Sequence, residues 1–313
     1  MERLESMRVA YGKALLDYGT VNQDIVVLDA DISASSQTHY FAKRFPERFF
    51  NLGVAEAGMI DVAVGLALAG KIPFANTFAF LISLRAAEQI RTCVAYARTN
   101  VKLAAAYSGL SDSRDGPSHH SICDLAVMRA MPNITVVVAT DAVEVQKMVP
   151  LVAEWDGPVY LRISRAEVPV LFNKNHDIVI GKGVLLREGS DTTLIGTGVM
   201  VSRCLEAADL LKNEGINARV IEVHTIKPPD HELIYSAAKE TGCIVTAEEH
   251  SIIGGLGESV AGFLTETCPV PLKRVGIADT FAESGPYFEL LDRYGMGVND
   301  IICATKNVMK QKG

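Results

Sequence analysis

Short aliphatic and β-branched runs with almost no polar alternation recur along the chain, each followed by a segment of helical period. Residues 25–28, 101–105, 134–138, 159–163, 192–195, 218–222, 243–247 and 272–276 predict strands. Residues 8–18, 57–69, 84–97, 142–154, 201–214, 229–239 and 256–266 predict helices. Strands that lack a polar face belong in parallel sheets, whose crossover helices cover both sides. The prediction is an α/β protein of mostly parallel sheets flanked by helices. The alternation weakens between Pro169 and Gly189, where Asn173, Lys174, Asn175 and His176 make the chain polar. A first domain of residues 1–175 is therefore expected, then a linker over 176–189 and a second domain of 190–313.

At 313 residues, 49% of them hydrophobic, the chain has material for two domains with their own cores. A net charge of -7 with scattered Lys and Arg argues against nucleic acid, because a phosphate backbone calls for a basic surface. A membrane span takes about 20 apolar residues. The longest apolar stretch, residues 59–69, is shorter and is broken by Asp61. The first residues are charged and then amphipathic, with no apolar signal region, and Met1 reads as a natural start. Six cysteines without a CxxC pair read as reduced thiols, so the expected compartment is the cytoplasm.

Candidate chemistry concentrates between residues 28 and 120. The strand predicted at 25–28 runs into Asp31, Ser33 and Ser35, at the carboxyl edge where open parallel sheets bind ligands. A helix cap or turn would use the same residues. Glu56 opens an apolar helix whose only other polar residue is Asp61. A helix apolar on all faces is buried, at an interface or in a core. Burial there would raise the Glu56 pKa, by up to about 3–5 units if complete, so that the carboxyl keeps its proton and donates a hydrogen bond. The other reading is a solvated first-turn glutamate favoured by the helix dipole.

Phe78 follows a loop containing Pro73, and its ring suits either stacking on a flat heterocycle or filling the core. In the turn-rich loop 107–120, Asp115 and His119 stand four apart across Gly116 and Pro117 and can face one cavity. Such a histidine serves proton transfer or hydrogen bonding to a polar substrate, though a structural His-Asp turn has the same spacing. Arg162 and Arg165 end a predicted strand with planar donor forks suited to phosphate or carboxylate, or to surface ion pairs. The glycines of 196–198 and 254–257 do not match GxGxxG and read as tight turns and close helix–sheet approaches.

DADIS from Asp29, FAKRFPERFFNLGVAEAGM from Phe41, DGPSH from Asp115 and the pair Ser164 and Arg165 resemble the pyrimidine-binding domain of split bacterial and archaeal transketolases. LIGTG from Leu194, VHTIKPPD from Val223, Glu248 with Glu249, and GGLG from Gly254 are similar to the C-terminal domain that follows it. The resemblance covers essentially the whole chain. It implies a thiamine-diphosphate enzyme that moves a two-carbon ketol unit from a ketose phosphate to an aldose phosphate. By the same resemblance Glu56 matches the glutamate that bonds a ring nitrogen of the aminopyrimidine, and Phe78 the aromatic that stacks on it. Asp31, Ile32 and Val54 match positions lining the cofactor. Asp115 and His119 match residues that bond substrate hydroxyls, and Arg8, Ser35 and Arg165 those that hold the phosphate.

Two departures stand out against this family pattern. Tyr107 stands where a further histidine is common near the phosphate, which opens the door to a sulfonated or branched sugar. Leu81 replaces a second aromatic three residues after Phe78, with Phe80 as a substitute. The family's GDG motif with a following Asn, which binds diphosphate and metal, is missing from the chain. The resemblance therefore implies an N-terminal partner subunit that holds the diphosphate and Mg²⁺ or Ca²⁺, in an α2β2 heterotetramer with the active site between chains. The alternatives are the beta subunit of a 2-oxo-acid dehydrogenase and a non-catalytic assembly paralogue.

Overall fold

Every residue of the strands at Ile25–Asp29, Lys102–Ala106, Thr135–Val138 and Val159–Arg162 is buried. Strands with no solvent face need cover on both sides, and helices supply it. The computed structural model describes residues 3–312. Its first half runs β1 (Leu4–Ser6), α1 (Met7–Val21), β2 (Ile25–Asp29), α2 (Ser33–Ser36), α3 (His39–Arg44), β3 (Phe49–Asn51), α4 (Glu56–Leu68), β4 (Ile72–Phe78), α5 (Ala87–Gln89), β5 (Lys102–Ala106), α6 (Asp124–Ala130), β6 (Thr135–Val138), α7 (Ala142–Glu154), β7 (Val159–Arg162) and β8 (Glu167–Pro169). The second half runs β9 (Val184–Arg187), β10 (Thr192–Gly196), α8 (Met200–Asn213), β11 (Ala218–Glu222), β12 (Thr225–Lys227), α9 (His231–Thr241), β13 (Ile244–Ser251), α10 (Leu256–Thr267), β14 (Leu272–Ile277), α11 (Tyr287–Arg293) and α12 (Val298–Met309).

The first sheet has the order β12-β6-β7-β5-β4-β2-β3, parallel throughout except where β12 meets β6. The second has the order β14-β13-β10-β11-β9, with β9 its antiparallel edge. A short antiparallel ribbon pairs β1 with β8. The fold is the α/β architecture expected, and all eight predicted strands are present. Residues 225–227, from the second half, close an edge of the first sheet, and each of two apolar clusters draws side chains from both halves. The two units are thus welded rather than hinged. Residues 184–187, within the span expected as linker, form β9 of the second sheet. Among the described residues no helix is long and apolar enough to cross a membrane.

Two elements differ from the sequence prediction. Pro73 was expected in a loop, yet β4 starts before it and pairs Pro73 with Val26. A proline one residue inside a strand removes a ladder donor only near the end, where the loss is small. The helix expected over 84–97 is a composite, with π-helical turns at Leu81–Arg85 and Ile90–Tyr96 around α5. Wide turns of this kind often sit at functional sites, and this one carries Arg85 toward Glu56.

Helix α4 was expected to be buried on all sides. Met59, Ile60 and Ala63 do pack inward, but Gly58, Val62, Gly65 and Leu68 are exposed along one face, with Val54 and Phe50 exposed ahead of it. The sheet covers only one side of this helix, which leaves an apolar stripe uncovered in the single chain.

Candidate active site

Parallel strands deliver their carboxyl ends to one edge of a sheet. Neighbours β2, β4, β5 and β7 therefore place the residues that follow each of them side by side. After β2, the buried Asp29 carboxylate ties down the next turn, accepting from Ile32 N at 2.6 Å, Thr38 Oγ1 at 2.7 Å and Ser36 Oγ at 3.1 Å. Burial raises its pKa, partly offset by those bonds. Asp31 takes a left-handed conformation (φ 64°) at the tip of the turn and accepts from Asn51 Nδ2 at 2.8 Å. Ile32 lies beside it, and Val54 is 68% exposed on the loop before α4.

Glu56 is the first residue of α4 and is 1% exposed. Its Oε2 accepts from Arg85 Nη1 at 2.9 Å, while Oε1 is buried with no hydrogen-bond partner. Leaving a buried polar oxygen unpaired costs about 1–3 kcal/mol, a deficit that a further donor would relieve. The solvated alternative does not hold, and the full-burial expectation needs one correction. Arg85, itself half exposed, supplies a positive partner that sequence reasoning did not include.

Beyond β4, the Phe78 ring stacks on Tyr107 at 4.7 Å between centroids, and lies nearly parallel to Phe80 at 6.4 Å. His119 meets Phe78 and Phe80 edge-on at 6.1 and 5.3 Å. The Nδ1 of His119 is bonded to Ser118 Oγ at 2.9 Å. Leu81 is buried at the head of the first wide turn. Phe78 thus forms part of an aromatic wall at the sheet edge rather than core.

Ser6 caps α1 by accepting from Val9 N, and the cap sets Arg8 in the first turn. Arg8 Nη1 donates to Ser35 O at 2.8 Å and to Tyr107 Oη at 3.0 Å. Arg165 lies over the same tyrosine, 4.9 Å from the ring centroid, with Arg8 at 5.2 Å. Tyr107 itself adopts a left-handed conformation (φ 61°), an uncommon choice for a bulky residue and a sign of local constraint. Arg165 also pairs through Nη1 with the carboxylate of Asp112 and sits 3.9 Å from Asp115 Oδ2. Asp112 was not foreseen. It is fully buried, and burial together with its neighbour Asp115 lifts its pKa to about 6. Arg8, Ser35, Tyr107, Asp115, His119, Phe78 and Arg165, spread over the first 165 positions, therefore meet at one place.

Arg162, read from sequence with Arg165 as either an anion-binding fork or a surface ion pair, is neither. It is buried and bonds Asp124 through Nε at 2.7 Å, and its Nη2 reaches Glu249 O at 2.9 Å and Ser121 O at 3.2 Å. A strand alternates its faces, but three residues from Arg162 the chain has already left β7, so spacing alone misleads. The second domain braces the site loop from behind. Glu249 Oε1 accepts from Leu110 N at 2.6 Å, and Gly285 N donates to Ser113 O at 2.9 Å. Gly109 (φ 60°) leaves room for that Glu249 carboxyl, which a methyl group would overlap. Gly109→Ala is expected to destabilise the chain by about 1–3 kcal/mol, read from the urea midpoint. An unchanged midpoint would mean that Glu249 is not the brace.

The glycine-rich segments of the second domain are close approaches, as expected. Glu248, buried behind Gly255, accepts from Leu256 N at 2.7 Å and Gly257 N at 2.8 Å. A carboxylate thus already occupies the helix N-terminus where a dinucleotide fold would bind diphosphate.

The transketolase pyrimidine-binding domain matches residues 5–170, and the transketolase C-terminal domain matches residues 181–301. The chain belongs to the transketolase family. It is 43% identical to a putative transketolase C-terminal section of Methanocaldococcus jannaschii, over 98% of each chain. A 6-deoxy-6-sulfo-D-fructose transketolase subunit of a Clostridium species (strain MSTE9) is 41% identical, over 98% of this chain and 95% of that one. A split-gene transketolase solved as an inactive β4 tetramer superimposes with a TM-score of 0.93 at 47% identity, covering 98% of this chain and 99% of the other. This transketolase chain is therefore a C-terminal section and a subunit of the split kind, and the family implies use of thiamine diphosphate.

Proposed function

We propose that the chain is the pyrimidine-binding subunit of a two-chain transketolase, transferring a two-carbon ketol unit from a ketose to an aldose with an anionic tail. The observation that carries this reading is Glu56, buried at the carboxyl edge of the sheet with Oε1 unpaired. An acceptor already desolvated there fits a ring nitrogen of an aminopyrimidine, with a proton shared between them. Thiamine diphosphate, when bound, supplies the nucleophilic carbon of the reaction. Glu56 holds and polarises the pyrimidine, Phe78 lies against its face, and Asp31, Ile32, Val54 and Leu81 line its surroundings. Asp115 and His119 bond substrate hydroxyls, and His119 is the group placed to move a proton during C–C cleavage. Arg8, Ser35, Tyr107 and Arg165 receive the tail.

A partner is needed to complete this site. The diphosphate and its Mg²⁺ or Ca²⁺ belong to an N-terminal subunit in an α2β2 assembly. The uncovered apolar face of α4, with Val62 and Leu68 and two glycines whose surroundings are open, supports contact with another chain beside Glu56. The related β4 tetramer, described as inactive, supports the same dependence. Purified alone, the chain is expected to give no ketol transfer, and addition of the diphosphate-binding subunit is expected to restore it. Robust transfer by the single chain rejects the two-chain reading, and a silent complex rejects the reaction.

A further inference from the structure

Resting on the transketolase reading, we infer that Asp112 sets the charge of the tail pocket, so that the preferred sugar carries a singly charged tail, a sulfonate, rather than a phosphate dianion. Arg165 is one of two guanidinium groups at that end of the site, and it is not free. Its Nη1 is held by the Asp112 carboxylate, which is wholly buried and so is shielded from solvent screening. Asp112 Oδ2 has no hydrogen-bond partner, and Arg8 Nε is also buried without one. Arg8 also borders Tyr107, with its Nη1 committed to Ser35 O and the tyrosine hydroxyl.

The charges add simply. Arg8 and Arg165 bring two positive charges and Asp112 removes one, which leaves a single charge to be matched by the tail. Asp115, 3.9 Å from Arg165 and more than half exposed, opposes a second negative charge further. A phosphate monoester carries close to two negative charges above its second pKa of about 6, whereas a sulfonate carries one. Tyr107 adds in the same direction, because a neutral ring and hydroxyl are what both guanidinium groups lie against. Asp112 acts through Arg165 and is a positioning residue, so its effect belongs in KM more than in kcat.

The test uses the complex of this chain with its diphosphate-binding subunit at pH 8. Three ketose donors are compared: fructose 6-phosphate, 6-deoxy-6-sulfofructose and fructose. The expected result is a KM for the sulfonated donor at least about tenfold below those of the other two. Asp112→Asn keeps the shape and removes the charge, and is expected to move the sulfonate-to-phosphate KM ratio toward phosphate by about tenfold. Wild-type preference for the phosphorylated donor, or equal use of uncharged fructose, overturns the inference whatever the variant does. So does an Asp112→Asn enzyme that weakens both charged donors alike, since Asp112 then only holds Arg165 in place. Ketol transfer from none of the three would reject the proposed reaction and this inference together, an outcome distinct from transfer with the wrong tail.

Discussion

Glu56→Gln is expected to lower kcat of the reconstituted two-chain enzyme by at least about a hundredfold while the chain keeps its fold. Removing one preorganised hydrogen-bonding group from a reacting site typically costs a factor of 10²–10³. The amide fills the same volume at the head of α4, so the packing of Met59, Ile60 and Ala63 beneath it should be undisturbed. Its one lost ionic partner is Arg85, 53% exposed, and pairs of that kind contribute about 0–1 kcal/mol. The expected signature is thus a collapse in turnover with a thermal midpoint within a few degrees of wild type. Near-normal turnover would remove Glu56 from its assigned role. A large drop in midpoint would instead make the residue part of the frame.

The strands were legible because each is a short apolar run, and such runs have few uses other than a doubly covered sheet. The start of β4 was not, since Pro73 reads as a breaker until its place near the strand end is known. The convergence of Ser35, Phe78, Tyr107 and Arg165 follows from strand order, with β2, β4, β5 and β7 adjacent and parallel, and the start of α1 adds Arg8. Residue types and motif spacing reached the same set through resemblance, without the geometry. What could not be read were the through-space partners. Arg85 finds Glu56 across 29 positions, Asp112 finds Arg165 across 53, and Glu249 finds Leu110 across 139. None of these pairs leaves a local pattern.

Arg162 carries the largest expected effect on stability, because breaking its pair strands a charge. Arg162→Ala leaves Asp124 fully buried and without its cation, and removes donors from Ser121 O and Glu249 O as well. Only Tyr160 Oη, at 2.7 Å, remains on that carboxylate from the strand β7 side, with neutral His250 nearby. Losing one partner of a buried ion pair costs about 3–5 kcal/mol, visible as a shift of about 1–3 M in the urea midpoint. The sign can be checked with pH. Burial pushes the Asp124 pKa up, but Arg162 overrides it and the pKa ends below the usual value of 3.8. The stability from this pair is therefore fully present at neutral pH and is lost as pH falls below about 4. The gap between wild type and Arg162→Ala should accordingly narrow in acid. Replacing both partners by apolar residues, Arg162→Met with Asp124→Leu, should recover part of the loss, since Asp124 is then no longer a buried carboxylate without its cation, while Ser121 O and Glu249 O still lack their donor. A single variant within 1 kcal/mol of wild type would show that water or a neighbouring group reaches Asp124 and that the seam between the domains is not sealed there.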